Sequence, residues 1–319
     1  MWNRIGETQL RMGEIMEIYM VKTPDSDYEQ DIMSFLSPTN RLWRWHLDLA
    51  IHGALDELEP RFYLGLVKGR IVSNVSTWEY GSIGLVAHLL TAKEHRRAGA
   101  CTASMKAQIQ DFRHRGGKVL IGGFRPTSYT IAKSLGFSSI IDNSEVMHYN
   151  LDLHFKKEYF EARKVSCRDS MWKDWPGVSL LFGTQEGCCI RSMKHRIFEP
   201  FDYEDYFLGD MWERLNGLCI SKVLVSEEGS VVGYATLTSK YHVKSEFWLL
   251  DFFIHPNAAS CAGTMLDAMD FPPTKTRCYV ESGCPEKREM LLRSGFKKRT
   301  LQEQITQNGK TLDIAVMEF

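Results

Sequence analysis

No uninterrupted apolar run in this 319-residue sequence approaches the ~20 residues that a bilayer-crossing helix requires. Nor does the start read as a signal peptide, because Arg4, Glu7, Arg11, Glu14 and Glu17 interrupt it every few positions. A soluble, unexported, cytoplasmic protein is therefore expected. Net charge is also lacking: 39 Lys and Arg against 40 Asp and Glu leave −1, which argues against a large nucleic-acid footprint. The eight cysteines contain no Cys-x-x-Cys pair, and Cys188 and Cys189 are adjacent, which suits neither a zinc ribbon nor a disulfide framework. Reduced, mostly buried thiols and no metal are the expectation. What is present, 44% hydrophobic residues over this length, is enough for two domains with their own cores.

Positive charge is local. From Lys93 to Lys118 there are seven Lys or Arg against two acids, and the run begins Glu94-His95-Arg96-Arg97-Ala98-Gly99-Ala100-Cys101-Thr102. Small residues there let the backbone approach a ligand, and the first N–H groups of the helix that follows lack intrahelical partners. The pattern reads as a turn that grips phosphate. Before it lies the strand-like Ile83 to Thr91, after it Lys118 to Phe124, and then Arg125-Pro-Thr-Ser128-Tyr129 opens a short helix that ends in Gly136-Phe137. In this order the features resemble the GNAT superfamily of N-acetyltransferases, whose pyrophosphate loop is Arg/Gln-x-x-Gly-x-Gly/Ala. Arg96-x-x-Gly99-x-Cys101 fits it, with Cys101 in the last small position.

A weaker copy of the same plan follows. The turns at Gly69 and Gly229 each join strand-like segments, and the closing Gly-Phe lies 67 residues after the first (Gly136) and 66 after the second (Gly295). Equal spacing argues for duplication. In the second copy Phe247 to Ile254 reads as a strand and Ala262 to Met269 as a helix, yet His255 to Cys261 between them contains no arginine. The first copy should bind the cofactor, and the second is either a substrate wall or a structural half.

The expected fold is thus α/β (α+β): two tandem GNAT-like domains, each a mixed, mostly antiparallel sheet flanked by helices, the second degenerate. Their bounds are 1–153 and 177–319, with 154–176 a helical connector. Within the first, periodicity predicts a strand over 17–21, helices over 28–36 and 42–58, and strands over 61–68, 70–79 and 82–91. A helix over 102–115, a strand over 118–124, a helix over 126–135 and a strand over 145–152 complete it.

The resemblance implies acyl transfer from a CoA thioester to an amine. The donor contacts it implies are Leu89, Leu90 and Thr91 at a splayed strand end, Arg96 to Thr102 at the loop, and Arg125, Ser128 and Tyr129 at the last helix. The family's general acid is commonly a tyrosine four residues before the closing Gly, where this chain has Ala132. Tyr129, one turn earlier, can take that role or can simply pack on pantetheine. For taking the amine's proton, His88 suits by residue type, its unperturbed pKa being about 6.5, and Glu79 could act through water. Cys101, at a helix start beside Arg97, should have a lowered pKa and could look like a nucleophile, though its place in the loop favours a small structural residue. Trp43, Trp45, His46 and Trp78 combine aromatic rings and an imidazole where an acceptor would be covered. The reading is an acetyl-CoA-dependent N-acyltransferase acting on a small-molecule amine. Two others stay open: an acyltransferase that takes its donor from aminoacyl transfer RNA, and a noncatalytic acyl-CoA-binding module.

Overall fold

A computed structural model describes residues 2–25, 27–140, 145–161, 164–183, 203–239, 247–307 and 310–319. The chain divides into two compact units, Met1–Phe155 and Lys156–Phe319. Among the described residues no helix is long and apolar enough to cross a membrane.

The first unit begins with β1 (Trp2–Gln9), β2 (Ile15–Lys22), α1 (Glu29–Phe35) and α2 (Arg41–Ile51). A meander follows, β3 (Glu59–Val67), β4 (Arg70–Tyr80) and β5 (Ile83–Thr91), then α3 (Ala100–His114), β6 (Val119–Gly123), α4 (Pro126–Ser134), β7 (Ser138–Ser139) and β8 (Val146–Asn150). The eight strands are ordered β1-β2-β3-β4-β5-β6-β8-β7. All neighbours are antiparallel except β5 and β6. β3 and β4 are buried almost throughout, so they read as continuous apolar segments covered on both faces rather than as alternating ones. On one face α3 lays Met105, Ile109 and Phe112 against Val75, Val86 and Leu120 in a core that Phe124, Ala132 and Phe137 complete. Two of its buried polar groups are paired: Gln108 Nε2 donates to Thr77 Oγ1 at 2.6 Å, and the Ser73 and Ser104 hydroxyls are 3.1 Å apart.

The parallel pair β5/β6 is short. Only Ile83 to Leu85 face Val119 to Ile121, so beyond Leu85 the two strands part and the β5 edge loses its partner. This splay positions the candidate site.

The second unit contains α5 (Phe155–Tyr159) at its boundary, β9 (Ser166–Asp169), α6 (Trp175–Phe182) and α7 (Tyr203–Leu215). Then come β10 (Cys219–Val225), β11 (Val231–Thr238), β12 (Trp248–Ile254), α8 (Ala262–Asp267), β13 (Thr276–Glu281), α9 (Pro285–Arg293), β14 (Lys297–Gln307) and β15 (Lys310–Glu318). Read from β9, the order β9-β10-β11-β12-β13-β15-β14 repeats that of the first unit without β1. β12 and β13 are its parallel pair, again only three residues long.

Three expectations are corrected. β1 falls in a stretch read only as charged; its residues are all exposed or half-buried along a sheet edge, so it shows no apolar run. α2 stops at Ile51 rather than near Leu58, where Gly53 at φ +71° turns the chain. Segment 154–176 is not a helical connector: it includes β9, whose Asp169 pairs with Lys222 of β10. A four-residue strand is too short to show a period.

Candidate active site

Where β5 loses its β6 partner it also breaks register with β4. Leu90 faces Asn74 and Ala87 faces Ser76, so two residues of β5, His88 and Leu89, stand against one of β4, Val75. This is a β-bulge, and His88 within it has φ +51°, a conformation uncommon outside glycine and found at strained functional sites. Side chains of β4 replace the missing strand donors: Asn74 Nδ2 donates to the His88 carbonyl at 2.8 Å and Ser76 Oγ to the Ala87 carbonyl at 3.0 Å.

The His88 ring completes an aromatic cluster on the face that α2 covers. Trp43 lies 4.7 Å from it and Trp78 5.8 Å, centroid to centroid, while His46 lies 4.4 Å from Trp78 and 6.1 Å from Trp43, all edge to face. His46 and Trp78 are fully buried. Positions 43, 46, 47 and 50 form one helical face, which is why Trp43 and His46 arrive together; Trp45, half-buried, lies about 160° round the helix from Trp43. Burial pushes the His88 imidazole down to about 3 and that of His46 well below its ordinary value, with His88 adding to the shift. Both rings are therefore neutral near pH 7, and the expectation that His88 is a base poised near 6.5 is corrected. Its Nε2 is buried without a hydrogen-bond partner.

Glu79 is placed elsewhere. Along β4 the residues Val75, Thr77 and Glu79 face α3, whereas Asn74, Ser76 and Trp78 face α2. The Glu79 carboxylate is 4% exposed and held by Arg115 Nη2 at 2.9 Å and Arg61 Nε at 3.2 Å. Burial raises its carboxyl above the usual range against the pull of the two guanidinium groups. On the opposite face and ion-paired, it is a structural acid, not a base for the amine. Tyr129 is half-buried and borders the same core cluster as Leu89 and Cys101, with its hydroxyl 3.0 Å from Ser139 Oγ. Ala132 is wholly inside that cluster.

Beyond Thr91 the chain makes a 3-10 turn over Lys93–His95, takes positive φ at Arg97 (+62°) and Gly99 (+96°), and enters α3. At Gly99 a side chain would be strained by φ although it would meet open space. α3 has no side-chain N-cap and no acid in its first turn. The first intrahelical bond runs from Ala103 N to Gly99 O at 3.0 Å, so the N–H groups of Ala100, Cys101 and Thr102 have no helical acceptor. Arg96 and Arg97 are exposed, and Arg96 Nε donates to the Thr91 carbonyl at 3.3 Å. Ala98 and Ala100 are buried with Leu10, Met16, Ile18 and Val72, and Arg11 N donates to Ala98 O at 3.0 Å, so the β1/β2 turn braces the loop from below. Half-buried Cys101 does not have the lowered pKa expected of a nucleophile: burial pushes its thiol up to about 11. Arg125, exposed, caps α4, where Ser128 Oγ donates back to its carbonyl at 3.1 Å.

The matching place in the second unit is built differently. The β11/β12 register is unbroken, so β12 has no bulge. Just past Leu250, the last β12 residue paired with β13, the buried Lys287 of α9 donates to Asp251 Oδ1 at 3.1 Å and to the Phe252 carbonyl at 2.9 Å. The loop after β12 carries no Lys or Arg; its His255 stacks on Phe160 at 4.2 Å and accepts from Asn257 N at 3.2 Å, so a loop N–H is already used. Elsewhere in this unit, donor atoms of Asp210, Glu213 and Cys219 lie within 4.8 Å of one another, with Tyr234 Oη donating to Asp210 at 2.9 Å. Of the eight cysteines, Cys188 and Cys189 lie outside the described residues, and the other six are free thiols.

Asn74, Ser76 and Lys287 escape a reading of the sequence. A strand asparagine carries no local signal, and only the register of β5 shows what it holds.

Neither a family model nor a curated protein sequence matches the chain. Solved structures do. A GNAT-superfamily phosphinothricin acetyltransferase from Sinorhizobium meliloti, in complex with acetyl-CoA, aligns over 49% of this chain and 88% of its own at 17% identity, TM-score 0.40. A spermidine N-acetyltransferase from Vibrio cholerae, in complex with CoA and spermine, aligns over 49% of this chain and 95% of its own at 14% identity, TM-score 0.38.

Proposed function

We propose that the first unit is an acyl-CoA N-acyltransferase that uses acetyl-CoA and acylates the amine of a small molecule. The observation that carries the reading is the strained bulge at His88, opening on the β5/β6 splay and leading through Leu89, Leu90 and Thr91 to the Arg96 to Thr102 loop. That loop fits a diphosphate: an uncapped helix N-terminus, a glycine open to space, and two exposed guanidinium groups. Acetyl-CoA supplies an activated carbonyl when bound. The unpartnered β5 edge offers N–H groups that can polarise the carbonyl oxygen. The neutral His88 imidazole, walled by Trp43 and Trp78, acts as a hydrogen-bonding partner that orients an uncharged amine; a base with a pKa of about 3 is too weak to deprotonate an ammonium near neutral pH. Arg125, Ser128 and Tyr129, at the start of α4, flank the pantetheine. With Ala132 buried in the core, the departing thiolate takes its proton from solvent unless Tyr129 gives it. The amine nitrogen gains the acyl group and loses one proton as the C–S bond breaks.

Calorimetry with acetyl-CoA tests the reading. Replacing Arg96 and Arg97 together by Ala removes charge-assisted contacts and should weaken binding at least tenfold, about 1.4 kcal/mol. A wild-type chain that binds no acetyl-CoA refutes it. Labelled acetyl-CoA offered with amine pools then finds the acceptor, and labelled aminoacyl transfer RNA in a parallel arm should transfer nothing.

A further inference from the structure

The donor that holds the bulge lies on the neighbouring strand. Asn74 is fully buried, on the face of β4 that also carries Ser76 and Trp78. Its Nδ2 donates to the His88 carbonyl at 2.8 Å, while its Oδ1 is buried with no hydrogen-bond partner. A buried amide whose oxygen accepts no hydrogen bond costs stability, and an apolar strand former of similar size would not incur that cost. What the amide provides is a donor at a carbonyl that the break in register has turned away from the regular ladder. Ser76 does the same for Ala87 one residue earlier. The two side chains together hold β5 in the conformation that gives His88 its positive φ, and with it the direction of the imidazole and of the Leu89 to Thr91 edge.

We propose that Asn74 is a positioning residue for the acyl transfer, fixing the bulge through the His88 carbonyl while touching neither substrate. The proposal rests on the acyltransferase reading above. Without the Nδ2 donor the half-buried carbonyl is left unpaired, and the bulge relaxes toward ordinary strand geometry. The imidazole then leaves its position between Trp43 and Trp78, and the β5 edge no longer faces the splay as it does now. The diphosphate loop does not depend on this bond, since it is braced by the β1/β2 turn and by α3.

The test is Asn74→Val, with Asn74→Ala as a second variant should the first not fold, in the full chain. Thiol release from acetyl-CoA, the acetyl-CoA Kd by calorimetry, the melting temperature and the His88 Cε1–H resonance are measured. Expected are a kcat at least tenfold lower, a Kd within twofold of wild type and a displaced His88 resonance, the melting temperature serving to show that the variant is folded. A kcat within twofold of wild type, a Kd that rises as much as kcat falls, or an unmoved His88 resonance overturns the role of Asn74. A wild-type chain that fails to bind acetyl-CoA overturns the acyltransferase reading instead, and the His88 resonance still decides whether Asn74 holds the bulge.

Discussion

Burial of the His88 imidazole makes the stability of the first unit depend on pH in a defined window. In the unfolded chain the ring takes a proton near its ordinary value of about 6.5. In the folded chain it does so only near about 3, because desolvation disfavours the imidazolium. Between those values the unfolded state binds more protons than the folded one, so stability rises with pH there and is lost as pH falls below 6.5. At pH 5 the ring is 1.5 units below its unfolded value, and at about 1.4 kcal/mol per unit this costs about 2 kcal/mol. The comparison variant is His88→Asn, since asparagine does not titrate and tolerates φ +51° better than other residues. Urea unfolding at pH 7.5 and pH 5.0 should show wild type losing about 2 kcal/mol more than His88→Asn over that interval. The double difference removes the groups that both chains share and that position 88 does not perturb. The His88 Cε1–H resonance should stay unchanged from pH 7.5 to 5. Equal losses in the two proteins, or a resonance that titrates near 6.5, would refute the reasoning.

Glu79→Ala should lower the melting temperature through a loss of about 1.5 to 3 kcal/mol, because it removes the buried carboxylate that Arg61 and Arg115 share while leaving them Glu59 and Asp111, with acetyl-CoA affinity intact in the folded variant. A wild-type melting temperature would show that the pair contributes nothing. Gly99→Ala should cost about 1 to 2 kcal/mol in thermal or urea unfolding, from φ +96° alone, since no atom lies where the methyl would go. An unaltered stability would mean that the loop turns differently. Titration should find one acetyl-CoA per chain, because β12 pairs with β11 without a bulge and the loop after it carries no Lys or Arg; two equivalent sites would contradict that assignment.

The elements built from local pattern were legible. The meander of β3, β4 and β5, the helix α3 with Met105, Ile109 and Phe112 on one face, and the Arg96 to Cys101 turn each follow from residues within a few positions of one another. The near-equal Gly-Phe spacing pointed to a repeat, and both units have the same strand order apart from β1. Trp43 and His46 could be paired from helical phase alone.

What the tertiary structure decided depends on partners far along the chain. Glu79 looks like a candidate base until β4 turns it toward Arg115, 36 residues on, and His88 looks like a neutral-pH base until α2 and β4 enclose it. Asn74 acquires its role only from the register of β5, 14 residues away, and Lys287 only from Asp251, 36 residues before it. Backbone preference and hydrophobic period are local properties, so the amino-acid sequence by itself determined most elements of the first unit and the Arg96 to Cys101 turn. Desolvation, ion pairing and the hold on a strained carbonyl arise only when strands and helices meet, and these set the protonation and geometry of the site.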